Sequence, residues 1–260
     1  MIFVIDVGNT QSTFALYQGP KLLHRWCLST ARHRTLDEWG ALLHLLFHVN
    51  ELAIGDVRGI VVSSVVPPAD APLREMCRRY FKREPLFVAP GVKTGVSVLY
   101  DNPAEVGADR VVNAVAVLAH HEVPAVIVDF GTATTFDVLD AKGNYLGGAI
   151  SPGLAISADA LFEKTAKLPK VEISRPSRVI GKTTVQSIQS GLYWGYVGLV
   201  EGILKRIKKE FGPVKTVIAT GGLAPVVAPD CPSIGRVDEN LTLEGLRLIY
   251  QKNCDKEAKD

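Results

Sequence analysis

The sequence predicts an α/β protein built from two similar halves, and three observations carry that expectation. The chain has 260 residues, enough for two domains of roughly 100 to 150 residues with a sizeable core in each. Strands and helices read as β-β-β-α-β-α-β-α through the first half and then begin again. An apolar strand closing in Asp6-Val7-Gly8-Asn9-Thr10 has a counterpart closing in Asp129-Phe130-Gly131-Thr132-Ala133, so position 6 recurs at position 129. A repeat of that period is the size of a domain. The halves are drawn at residues 1–120 and 121–255.

Each element has its own signal. The apolar run Ile2 to Ile5, then Thr13 to Tyr17, a Gln18-Gly19-Pro20 turn, and Leu22 to Leu28 read as three sequential strands. Thr35 followed by Glu38 is a capping pattern, and Trp39, Leu42, Leu43, Leu46 and Phe47 then fall on one helical face. A buried strand follows from Gly59 to Val66, then Pro67-Pro68 opening a helix through about Phe81, a short strand Leu86 to Val88, and a helix from about Ala108 to His120. His121 to Pro124 marks the junction. The second half opens with the strand Ala125 to Gly131 and a hairpin turn at Ala141 to Asn144. Helices near Ala155 to Ala166 and Thr184 to Phe211, the strand Thr216 to Ala219 and a last helix near Leu241 to Gln251 complete it. Lys256 to Asp260 reads as a polar tail.

Composition narrows the classes. Hydrophobic residues make up 47% and charged residues 22%, ordinary values for a folded soluble chain. The net charge is +2, and the basic residues are scattered apart from Lys205, Arg206, Lys208 and Lys209. That run ends a helix, where positive charge complements the dipole, so no nucleic-acid partner is expected. Cys27, Cys77, Cys231 and Cys254 are far apart, with no CxxC pair and no histidine at metal-ligand spacing. No apolar run reaches the roughly 18 residues of a membrane span, and the N-terminus lacks the features of a signal peptide. The expectation is a cytoplasmic protein with no membrane contact.

The chemistry-bearing motifs sit at strand ends. An Asp-x-Gly turn there places a carboxylate beside exposed backbone N–H groups, which can bind phosphate. Two such turns facing each other would cradle a polyphosphate, with Asp6 and Asp129 holding cations that offset its charge. Asn9, Thr10, Ser12 and Thr13 add hydrogen-bonding groups. Read singly, each turn could equally be an ordinary hairpin; the duplication favours phosphate. Thr220-Gly221-Gly222 follows a buried strand, where it is either a plain turn or a place for an adenine or ribose to lie on the backbone.

These turns together with Thr220-Gly221-Gly222 resemble the phosphate and adenosine motifs of the actin, hexokinase and heat-shock ATPase superfamily. More closely, Asp6 to Thr10, Tyr100-Asp101-Asn102-Pro103, Gly107-Ala108-Asp109-Arg110, Asp129 to Thr135 and Gly147 to Gly153 resemble, in order along the chain, a type III pantothenate kinase. The resemblance implies two ribonuclease H-like domains, a duplicated βββαβαβα, with ATP in the cleft between them. It implies transfer of the ATP γ-phosphoryl to the primary hydroxyl of pantothenate, giving 4'-phosphopantothenate, the first step of coenzyme A synthesis.

Its site residues carry over by motif. Asp6, Val7, Gly8, Asn9, Thr10, Gln11, Ser12, Thr13, Thr132, Gly221 and Gly222 would bind ATP with Mg2+. Asp129 would bind a monovalent cation, K+ or NH4+. Asp109 would be the catalytic base, and Tyr100, Gly107, Ala108, Arg110 and Thr184 would bind pantothenate. Plainer roles stand beside these: a helix-terminal carboxylate for Asp109, a surface ion pair with Glu105 for Arg110, core packing for Tyr100, and a helix N-cap for Thr184. Gly181-Lys182-Thr183-Thr184 resembles the tail of a P-loop but lacks its upstream glycine, so a Walker motif is rejected.

On the long helix, Val185, Ile188, Leu192, Tyr196, Leu199, Ile203 and Ile207 recur at helical spacing, and Gly191, Gly195, Gly198 and Gly202 form a neighbouring line. Each glycine costs a helix about 1 kcal/mol relative to alanine, so another backbone is expected to pack there, within the chain or across a subunit interface. The resemblance implies a homodimer whose pantothenate pocket borrows residues from the second subunit. Two other readings remain: a kinase of another small alcohol on the same fold, or a non-catalytic regulator. The joint presence of Asp6, Asp109, Arg110 and Asp129 argues against the latter.

Overall fold

The computed structural model describes residues 1–254; the expected tail 256–260 lies outside the described residues. In the first half, β1 (Ile2–Val7), β2 (Gln11–Gln18) and β3 (Lys21–Ser29) precede α1 (Leu36–Val49), β4 (Gly59–Ser64), α2 (Pro67–Met76), β5 (Leu86–Phe87) and α3 (Ala108–His120). The second half supplies β6 (Ala125–Phe130), β7 (Ala133–Leu139), β8 (Tyr145–Pro152), α4 (Leu154–Glu163), α5 (Thr184–Phe211), β9 (Thr216–Thr220), the short α6 (Ala224–Val227), β10 (Arg236–Val237) and α7 (Leu241–Cys254). The chain extends α2 by a π-turn at Cys77–Phe81, which the sequence reads as continuous helix.

Two sheets repeat one plan. The first runs β3-β2-β1-β4-β5 and the second β8-β7-β6-β9-β10. In each, the first strand pairs antiparallel with its successor and parallel with the strand that follows the first crossover. This is an α/β fold with mixed sheets, consistent with duplicated ribonuclease H-like domains. The duplication reaches single residues: Asp6 pairs with Thr13 and Ser63, and Asp129 with Thr135 and Thr220.

Alternation along the strands decides what each sheet face meets. Phe3, Ile5 and Val7 of β1 join Phe14, Leu16, Ile60 and Val62 in a core closed by Trp39, Leu43 and Phe47 of α1 and by Leu73 and Met76 of α2. Phe3 stacks on Phe14 and Phe81 and meets Phe47 edge-on. The intervening residues, Asp6 among them, face the other way. α1 starts as its sequence predicts: the Glu38 main-chain N–H donates to the Thr35 hydroxyl at 3.3 Å, and the Thr35 N–H donates to the Glu38 carboxylate at 2.7 Å. In the second sheet, Val126, Val128 and Phe130 of β6 meet Tyr193, Tyr196, Val197, Val200 and Leu204 of α5.

The chain divides into two compact units that differ from the contiguous halves drawn from sequence. One holds Met1–Gly95, Asn102–Ala116 and the described residues from Thr242; the other holds Val96–Asp101 and Val117–Leu241. α7 joins the first unit because it docks on that unit's sheet and on α3. Gly59 leaves room for the Tyr250 ring, Gly245 lies against the Val112 backbone, and Thr242 donates to Asn113 at 2.7 Å. Arg247 reaches over Tyr17 of β2.

Along α5 the buried face is Ile188, Tyr193, Tyr196, Val197, Val200 and Leu204. This corrects the expected line: Leu192, Leu199, Ile203 and Ile207 pack only at its margin. The glycine line lies on the opposite face, since successive residues turn by about 100°. A methyl group at Gly191, Gly195 or Gly198 would meet nothing within 4 Å beyond its own stretch of helix, and one at Gly202 only the Arg206 guanidinium at 3.5 Å. No backbone of this chain packs on those glycines among the described residues.

Candidate functional site

The first strand-end turn belongs to the first unit. Asp6 stands half-buried one residue before the end of β1, and the hairpin closes by the Gly8 N–H donating to the Gln11 carbonyl at 3.0 Å. A Cβ on Gly8 would stand 2.9 Å from that carbonyl, so the hairpin itself requires the glycine. Asn9, Thr10 and Gln11 are exposed at its tip. Thr30, which the sequence gave no reason to single out, fastens it from β3's end. Its hydroxyl donates to the Gly8 carbonyl at 2.7 Å and pairs with the Ser12 hydroxyl at 2.8 Å, and its N–H donates to the Thr10 carbonyl at 3.0 Å. Val7 points into the apolar core, so only its main chain can face a ligand.

The second turn, in the other unit, is the same device one residue shorter. Asp6 pairs with Thr13, seven positions on, whereas Asp129 pairs with Thr135, six on. The Gly131 N–H donates to the Ala133 carbonyl at 3.1 Å. Here the structure brings several predicted residues together. Gly221 has φ +91°, and a Cβ there would stand 2.6 Å from Asp129 Oδ1 and 2.7 Å from the Phe130 backbone. Gly153, which donates to the Thr132 carbonyl at 3.0 Å, would collide with the Thr132 and Gly131 carbonyls if it carried a side chain. Asp129, Gly131, Thr132, Gly153 and Gly221 thus form one tight cluster. Gly222 has open space around it. Thr134 is bonded to the Tyr196 hydroxyl, and burial pushes that phenol's pKa up, keeping it a neutral partner.

In the first unit, Gly107, Ala108, Asp109 and Arg110 open α3. Asp109 Oδ1 accepts the Arg110 N–H at 2.9 Å and lies 2.5 Å from where a Gly107 Cβ would be. The carboxylate therefore folds back over Gly107, a placement only glycine permits. Arg110 is 7% exposed, so it is no surface residue, and Glu105 is exposed and takes a hydrogen bond from Asn102 at 2.8 Å. Tyr100, in the second unit, is 36% exposed rather than a core side chain. Its ring lies against Gly147, at 3.1 Å from a Cβ built there. Thr184 stands exposed in the first turn of α5, and the N-cap is Thr183, whose hydroxyl accepts the Gln186 N–H at 3.2 Å.

Sequence reasoning missed Ser63. It pairs with Asp6 across β1 and β4, is fully buried, and its hydroxyl has no hydrogen-bond partner among the described residues. Its counterpart Thr220, beside Asp129, was read only as the start of a glycine turn. Aligning the two halves beyond the Asp-x-Gly turn could have found it.

The same plan occurs in solved structures. A conserved Baf family transcriptional activator candidate from Campylobacter jejuni superposes with a TM-score of 0.62 at 18% identity, covering 97% of this chain and 99% of that one. An inorganic polyphosphate/ATP-glucomannokinase from an Arthrobacter strain does so at 0.51 and 12% identity, covering 97% and 99%. Fold and strand-end turns define an α/β scaffold of two repeated halves, consistent with duplicated ribonuclease H-like domains. Within that class the match is specific: the family model described as type III pantothenate kinase fits residues 2–206. A type III pantothenate kinase from Anaeromyxobacter sp. (strain Fw109-5) is 55% identical over 253 residues, 97% of this chain and 100% of that protein. This chain belongs to the type III pantothenate kinase family.

The two glycines after β9 predict a contrast. Gly221→Ala forces a side chain onto a left-handed φ and against Phe130, and should cost about 1–3 kcal/mol. Gly222→Ala should stay within about 0.5 kcal/mol of the parent. Urea unfolding midpoints of the two variants check this.

Proposed function

We propose that this chain transfers the γ-phosphoryl group of ATP to the primary hydroxyl of pantothenate, giving 4'-phosphopantothenate at the entry to coenzyme A synthesis. The observation that carries the reading is the Asp109 carboxylate, held at the head of α3 by the Arg110 N–H and by the absence of a side chain at Gly107. A base for an alcohol must be fixed before the substrate arrives, because orientation supplies much of the rate. Asp109 accepts the hydroxyl proton as the oxygen bonds to the γ-phosphorus, and the bond to the ADP oxygen breaks. Arg110 offers its guanidinium fork to the acceptor's carboxylate or amide, with Tyr100 and Thr184 completing the pantothenate site.

ATP, in this reading, is bound by groups from each of the two turns. Asn9, Thr10, Gln11, Ser12, Thr13 and Thr132 would meet its phosphates, and Gly221 and Gly222 its adenosine. The oxygens beside each carboxylate fit hard cations: Thr13 and Ser63 flank Asp6, Thr135 and Thr220 flank Asp129, and Ser63 keeps a buried hydroxyl without a partner among the described residues. Among the described residues no three His, Cys, Asp or Glu gather as a metal cluster, so phosphate and water oxygens would complete each shell. Asp6 would hold Mg2+ with the nucleotide and Asp129 a K+ or NH4+ ion; bound there, they offset phosphate charge. Activity in potassium should exceed that in sodium several-fold, and Asp129→Ala should remove the difference. Equal rates in the two salts would count against the site.

A homodimer follows from α5. Its glycine face is uncovered among the described residues, and Thr184 falls on that same face, seven residues before Gly191. Packing a second copy there would explain four costly glycines. In sedimentation, the parent should be dimeric at micromolar concentration, and Gly195→Leu should yield monomer with raised pantothenate KM. A monomeric parent contradicts the assembly.

The base assignment is tested by Asp109→Asn. The amide keeps the shape and the acceptor for the Arg110 N–H but loses basicity, so turnover should fall by about 10²-fold or more, with melting temperature and ATP affinity retained. Near-parental turnover would remove Asp109 from the chemistry.

A further inference from the structure

Asp137 is fully buried in β7, and neither the turns nor the acceptor residues account for it. A buried carboxylate is costly unless donors meet it. Two donors are plain here: the Tyr145 hydroxyl reaches Oδ1 at 2.7 Å and the Thr135 hydroxyl reaches Oδ2 at 2.9 Å. They lead in opposite directions. Thr135 is the residue paired with Asp129 across β6 and β7. Tyr145 carries the segment that bears Tyr100: its N–H donates to the Ser97 carbonyl at 2.8 Å, its carbonyl accepts the Leu99 N–H at 2.8 Å, and its ring centre lies 6.5 Å from that of Tyr100. Residues 96–101 form no strand or helix of their own beyond one bridge from Val98 to Tyr145. Tyr100 is therefore placed by Tyr145, and Tyr145 by Asp137.

We propose that Asp137, acting through the Tyr145 hydroxyl, is a positioning residue that sets the Tyr100 wall of the pantothenate site. The proposal rests on Tyr100 touching pantothenate. A hydrogen bond to a buried carboxylate is among the stronger ones, and this one joins the middle of the sheet to a segment that lies outside the named strands and helices. Its loss should loosen residues 96–101 and leave the nucleotide turns in place, so the cost falls on acceptor binding.

The test uses the full chain with Tyr145→Phe, which keeps the ring and removes only the hydroxyl. Pantothenate KM should rise by about tenfold, the scale of one charged hydrogen bond, while ATP KM and kcat stay within about twofold. Hydrogen exchange at Leu99 should speed up while β6 stays protected. Asp137→Asn, whose amide oxygen still accepts from Tyr145, should raise pantothenate KM less than Tyr145→Phe does. A parental pantothenate KM with unchanged exchange at Leu99 overturns the proposal. So does an even loss across both substrates with faster exchange throughout, which marks a general packing role. Tyr100→Ala separates the levels. If it leaves pantothenate KM unchanged, Tyr100 leaves the acceptor site and the proposal falls with it. If it raises pantothenate KM while Tyr145→Phe is silent, the acceptor site stands and the proposal alone is refuted.

Discussion

Everything about the site depends on a central strand that pairs antiparallel on one side and parallel on the other. β1 and β6 each do this. The carboxyl end of the central strand then lies beside the carboxyl end of its parallel neighbour, the strand ends at which open α/β sheets bind ligands. Asp6 and Asp129 sit there because they are the last residues of their strands to face away from the α1–α2 core and the α5 core respectively. A one-residue slip in register would bury both carboxylates in the apolar cores, so the alternation along β1 and β6 is what turns Asp6 and Asp129 away from them.

The glycines of the site serve mainly the protein's own backbone. Gly148 leaves space for the Phe136 carbonyl, Gly153 for the turn at Gly131 and Thr132, and Gly221 for the end of β6. At Gly221 the close approach reaches the Asp129 carboxylate itself, at Gly153 it reaches the turn that follows it, and at Gly148 it joins β8 to β7. Gly222 alone in this group has nothing near it. A run of motif glycines thus divides into those that build the site and one that leaves room beside it.

Much of this was legible in the sequence because it is local. The hairpins, the Thr35 and Glu38 cap and the long α5 rest on residues within a few positions of one another, and the recurrence of position 6 at position 129 rests on two short motifs, each local in itself. What was not legible depends on contacts between distant segments. α7 joins the first unit through Tyr250, Gly245 and Thr242, and nothing in its own periodicity names its partner. The buried face of α5 was misplaced because apolar residues cover well over half its circumference, leaving periodicity without a single answer. Ser63 and Asp137 escaped notice because a serine or an aspartate inside a strand acquires meaning only from the register that sets it beside Asp6 or Tyr145.

Both strand-end turns are proposed to bind the phosphates of ATP through their main-chain N–H groups. A crystal structure with a non-hydrolysable ATP analogue, magnesium, potassium and pantothenate addresses this most directly. The expected result is phosphate oxygens bound by main-chain N–H groups of residues 9–11 and of Thr132, with the pantothenate hydroxyl within hydrogen-bonding distance of Asp109. Phosphates bound by one turn alone, with the other turned away from the nucleotide, would contradict it.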